Sequence, residues 1–97
     1  MKLRLDSLET ADRLFASRLL EREGEDGLWR RVADACSDGS DYFWCWHELR
    51  LSLWHEWHDG LRTRSGDPRP NVGRIAHALL HQWEQRGRKT PVMATDR

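Results

Sequence analysis

His77 and His81 stand four residues apart, so on a helix both imidazoles face one way, and Glu84 falls on the same side. These are ligand types for zinc or another transition metal. His55 and His58, followed at once by Asp59, offer a second half-site. Against a metal stands the requirement for three or four converging ligands with an ordered outer shell. The His77/His81 side also lies opposite the neighbouring apolar stripe, where solvated histidines are common. HEWH is not the HExxH of zinc hydrolases, and HELRL lacks the second histidine. His77 and His81 are therefore only weak metal candidates, and no cofactor is expected.

Catalytic constellations are sparser still. The chain has no GxSxG and no glycine loop that would cradle a phosphate. Cys45 precedes His47 by two residues, and side chains two apart on a helix do not face each other. Cys45 reads better as a small packing residue than as a nucleophile. The amino terminus, MKLRLDSLET, carries no apolar signal-peptide core, which makes a cytoplasmic protein with Cys36 and Cys45 as free thiols the expectation. No enzyme is expected.

The densest signal is aromatic. Four of the six tryptophans and three of the five histidines fall between Tyr42 and His58, in YFWCWHELRLSLWHEWH. Buried together, Trp44, Trp46, Trp54 and Trp57 would remove roughly 600–1,000 Å² from water. Helical periodicity sets Phe43, Trp46, Leu49, Leu53, Trp54 and Trp57 opposite Glu48, Glu56 and Asp59. One reading makes this arc the centre of a bundle. The other leaves Trp44 and Trp57 at its margins to anchor a partner, since tryptophan is a preferred hot-spot residue.

Charge balance hides an asymmetry. The chain of 97 residues has 16 basic and 16 acidic side chains, but Met1 to Asp59 carries 8 basic against 13 acidic and the remainder 8 against 3. Arg62, Arg64, Arg69 and Arg74, with Arg86, Arg88 and Lys89 beyond, could form a phosphate-binding patch. The acidic first half opposes the domain-wide positive field of a strong nucleic-acid binder, so this is the alternative reading.

These residues must be held by helices. Asp6 or Ser7, with Glu9 in capping-box position, begins a helix whose Leu8, Ala11, Phe15 and Leu19 share a stripe up to Gly24. Asp26 can cap a second, Asp41 to Asp59 forms the third, and Asn71 can cap a fourth, with Gly87 closing it. LRTRSGDPRP between the last two is loop chemistry. The expectation is a compact all-α bundle of about four helices, roughly 7–23, 27–37, 41–59 and 71–86. It makes one domain over 1–87, with a frayed basic and polar tail over 88–97. The expected core is Phe15, Leu19, Trp29, Val32, Phe43, Trp46, Leu53, Trp54, Ile75, Leu79 and Trp83. The longest run without Asp, Glu, Lys or Arg, Ile75 to Trp83, is far too short to cross a bilayer.

Two stretches carry a local likeness. ALLHQWEQRGR, Ala78 to Arg88, resembles the LLxxWxxRG helix near the end of death-fold domains and of bacterial effector-associated adaptor domains, through Leu79, Leu80, Trp83, Arg86 and Gly87. LWRRVADA, Leu28 to Ala35, resembles an earlier death-domain helix. Together they cover about a fifth of the chain. The resemblance implies homotypic or adaptor contacts between proteins. That direction agrees with the aromatic helix. The expected function is a non-enzymatic interaction module, a small regulator, adaptor or inhibitor such as an immunity protein or a phage- or mobile-element-type inhibitor. It would bind a larger protein or a second copy of itself through Trp44, Trp57, His58, Arg62, Arg64 and Arg69.

Overall fold

The computed structural model of the chain describes residues 3–36, 41–61 and 68–87. All regular structure among them is helical: α1, Thr10–Ala35; α2, Tyr42–Glu56, prolonged by a wide π-helical turn, Trp57–Leu61; and α3, Val72–Gln85. The all-α bundle holds, but with three α-helices rather than four. The difference lies at Gly24, whose φ of 78° and ψ of 167° occupy a backbone region almost exclusive to glycine. That single residue redirects the chain, so the two helices expected at 7–23 and 27–37 are one bent element without a connecting loop. The tail 88–97, with Arg88 and Lys89, and Arg62 and Arg64 lie outside the described residues.

Capping follows the sequence in part. Asp41 and Asn71 accept from the backbone N–H groups of Trp44 and Arg74, each at 3.1 Å, satisfying donors that helix starts leave open. Gly87, at φ 77°, closes α3 by donating its N–H to the Glu84 carbonyl at 3.0 Å. The box expected from Asp6 and Glu9 is not made. α1 starts at Thr10 with Glu9 at the cap position and no side-chain bond there, because the Glu9 carboxylate turns to Arg74, 3.2 Å away. α2 also ends earlier than expected, at Glu56, before its π-turn takes the chain past Gly60.

Phe15, Leu19, Leu28, Trp29 and Val32 from α1, Cys45, Leu49 and Leu53 from α2, and Ile75, Leu79, Leu80 and Trp83 from α3 form one core. Trp29 is its largest fully buried side chain. Its indole N–H donates to Glu25 at 3.2 Å, and the Arg86 guanidinium lies 4.6 Å over the ring. The two stretches with the death-fold likeness therefore meet in space, yet that fold has more helices than the three described here.

Three expected core members sit differently. Phe43 is 60% exposed, and Trp46 and Trp54 are half-buried, packed against the core rather than inside it. The cause is Cys45. Its sulfur is bonded to that of Cys36 rather than free, because the end of α1 and the start of α2 bring the two Cα atoms to 4.9 Å, within bonding reach. With Cys45 turned inward, a rotation of about 100° per residue carries Leu49 and Leu53 to the core and Phe43 to the far side.

The amino-terminal segment is tied down by side chains. Gln82, almost fully buried in α3, accepts from Arg4 N–H at 2.9 Å and donates to Arg4 C=O at 2.8 Å, while Leu3 N–H donates to Glu25 at 3.1 Å. The amide of Gln82 thus does what a neighbouring strand would do for an extended chain. No helix among the described residues is long and apolar enough to cross a membrane.

Candidate functional site

The first turn of α2 points three aromatic rings outward. Tyr42 is 39%, Phe43 60% and Trp44 51% exposed, and among the described residues Leu14, at 37%, is the one other large apolar side chain so open. Phe43 and Trp44 meet edge to face with centroids 6.0 Å apart, and Phe43 stacks on His47 at 6.1 Å. The cap at Asp41 and the disulfide at Cys45 bracket this turn, so its rings are presented from a fixed backbone.

From there a row of residues continues along one shoulder of α2. Trp46, Arg50, Trp54 and Trp57 all lie between roughly 100° and 180° from the inward-facing Cys45 on a helical wheel. The start of α3 and the short segment before it form the opposite wall. A groove of about 730 Å³ lies between, edged also by Arg69 and Arg74. Trp46 locks the two walls together, its indole N–H donating to the Gly73 carbonyl at 2.8 Å. On its other side Trp46 borders a second depression of about 660 Å³, reaching Leu8, Asp12, His77 and Ala78.

The groove's indoles are paired with cations. The Arg50 guanidinium lies 5.3 Å from the Trp46 ring centroid and that of Arg69 lies 5.8 Å from Trp57. His58 stacks on Trp54, centroids 4.6 Å apart and planes within 14°. Arg74 is neutralised: its Nε donates to Asp12 at 2.9 Å, and Glu9 adds a second carboxylate. Asp12 and Glu9 hold the Arg74 guanidinium above its ordinary pKa, the Asp12 hydrogen bond being the main cause. Among the described residues Arg50 and Arg69 have no carboxylate partner, and the Nε of Arg50 is buried with no acceptor.

The expected site residues divide accordingly. Trp44 is open to solvent, while Trp57 is half-buried in the groove wall. His58 faces Trp54 and bonds Asp59 at 2.8 Å, and Arg69 edges the groove. Arg74 is spent on Asp12, so of the proposed phosphate-binding cations that are described, Arg69 and Arg86 have no carboxylate among the described residues, and Arg86 lies over the Trp29 ring. His77 and His81 stack at 6.3 Å, but His77 Nδ1 is hydrogen-bonded to the Tyr42 hydroxyl. Burial, with the nearby Glu84 charge, raises the Tyr42 pKa and keeps the phenol protonated. Among the described residues no three of His, Cys, Asp and Glu converge to hold a metal ion.

Two residues were missed by sequence reasoning. Asp12 stands four after Leu8 and three before Phe15, on the apolar stripe itself, and a carboxylate there requires a partner. That signal was legible. Arg50 carried none, since an arginine on a helix shoulder is usually solvated. Comparison of the chain with protein-family models, with curated proteins and with solved structures finds no match.

Proposed function

We propose that the protein is a non-enzymatic docking module that binds a larger protein through the first turn of α2. One observation carries this reading: Phe43 and Trp44, adjacent and in contact, are each more than half exposed beside the well-buried core of Cys45, Leu49 and Leu53. Large exposed aromatic clusters are uncommon on monomers and typical of interface anchors. Their backbone is held by the Asp41 cap and the Cys36–Cys45 bond, so little ordering would oppose association.

The decisive experiment uses a Phe43→Ser, Trp44→Ser double variant beside the wild type. Wild-type protein immobilised in a lysate of its native host should retain a defined partner, identified by mass spectrometry and reconstituted from purified components. The variant should lose that complex with its helical circular dichroism intact. Light scattering on the isolated chain separates a second copy from a foreign partner. Retention of the reconstituted complex by a folded double variant would sink the proposal.

A further inference from the structure

We infer that the groove between the shoulder of α2 and the start of α3 binds an acidic linear segment of a protein partner, with carboxylates received by Arg50 and Arg69. The inference rests on the docking reading and gives it a second contact, farther along α2 from Trp44.

The groove has charge of one sign to satisfy. Its rim holds Arg50, Arg69 and Arg74 and no acidic residue, and Arg74 is already neutralised by Asp12. Arg50 and Arg69 keep their positive charge without a carboxylate among the described residues, and the Arg50 Nε is shut away from solvent with no acceptor. Closed to solvent, that Nε is also closed to a ligand, so a carboxylate meets Arg50 at its terminal Nη groups. Only Nη2 of Arg50 finds a partner, at His47 Nδ1, 3.2 Å away.

Geometry favours carboxylates over nucleotides. A single strand held without sequence preference needs free aromatic faces on which bases stack. Here Trp46 lies under Arg50, Trp57 under Arg69 and Trp54 against His58, so each indole already has a planar group over a face. A guanidinium over a ring directs its N–H groups in its own plane rather than at the ring, so the Arg69 fork and the terminal Nη pair of Arg50 are the groups that can meet a carboxylate. Stacking also fixes the guanidinium plane before binding, which lowers the ordering cost. The groove's volume suits several residues of an extended chain.

The test is fluorescence polarisation with a short labelled peptide of alternating Glu and Ser, a Gln-for-Glu control peptide, and an oligothymidylate of similar length. The Glu peptide should bind and quench tryptophan emission; the Gln peptide should bind at least about tenfold more weakly. Arg50→Gln with Arg69→Gln should weaken the Glu peptide by a further tenfold or so, and Arg69→Lys alone should give an intermediate loss because it keeps charge but not the fork. Circular dichroism confirms that each variant is folded.

Oligothymidylate binding more tightly than the Glu peptide, and lost in the same arginine variants, would overturn the inference in favour of a nucleic acid. Equal affinity for Glu and Gln peptides, or no effect of the arginine changes, also overturns it. If the peptide results fail while Trp44 substitution still dissolves the partner complex, the groove inference falls and the docking module stands.

Discussion

Asp12 and Arg74, 62 positions apart in sequence, join the first turn of α1 to the first turn of α3 through a 2.9 Å bond from Nε to Oδ2. The other Asp12 oxygen accepts the Asn71 N–H at 2.7 Å, so one carboxylate receives both the cap residue and the first-turn arginine of α3. It is 1% exposed, and it stands where the positive end of the α3 dipole favours an anion.

The two partners are not equivalent, and that asymmetry is the first prediction. Asp12→Ala removes a buried acceptor and should lower stability by about 2 kcal/mol, the scale of hydrogen bonds to a charged group. Arg74→Ala should cost more, because it leaves the buried charge with the Asn71 N–H but no cation, whereas an orphaned Arg74 can turn to water. Urea titrations followed by circular dichroism rank the two; a silent Arg74→Ala contradicts the argument.

Reduction of Cys36–Cys45 should destabilise the fold without abolishing it. With a sequence separation of 9, loop-closure entropy gives about 2–3 kcal/mol. The midpoint of unfolding should fall on adding a reductant, while a Cys36→Ser, Cys45→Ser variant should show the lower midpoint with or without it.

Acid should weaken the contact between α1 and α2. Hydrogen bonding from Arg22, aided by Arg31, holds the Glu56 carboxyl below the usual glutamate range. A depressed folded pKa means that the unfolded chain takes up the proton first. The stabilisation is therefore complete above the ordinary glutamate pKa and is lost as pH falls through that value toward the folded one. The loss should be below about 1 kcal/mol for a partly exposed network. Glu56→Gln should flatten that part of a stability profile measured between neutral and acid pH.

Gly24→Ala should cost about 1–3 kcal/mol although nothing lies within 4 Å of the added carbon. The cost is in the backbone, which an alanine would have to hold in a glycine conformation. Thermal unfolding should show it, while Glu21→Gln at an exposed position of α1 serves as the silent control.

How legible this was depended on distance along the chain. Helical periods, the Asn71 cap and the Gly87 terminus depend on neighbours a few residues away, and each stood in the sequence. The face that α2 turns inward did not, because Cys45 is oriented by a bond to Cys36 on another helix. The hydrophobic arc allowed Phe43 in the core, and a local wheel cannot know that a covalent tie rotates it out. Trp44 was readable as a marginal residue of the arc. The groove was not, since Arg69 reaches the Trp57 indole, beside the Trp46 and Arg50 of α2, only after α3 docks.

Gly73 sets how near α3 can come. A methyl group there would lie 3.2 Å from the Trp46 indole, the same ring that hydrogen-bonds the Gly73 carbonyl. Trp46 is thus a party wall between two depressions, one reaching Arg69 and the other Leu8 and Ala78. Moving it alters both rooms at once. A substitution at position 73 is therefore a control on the shape of the whole face, and only changes beyond the wall, at Arg69 on one side or Ala78 on the other, address either room alone.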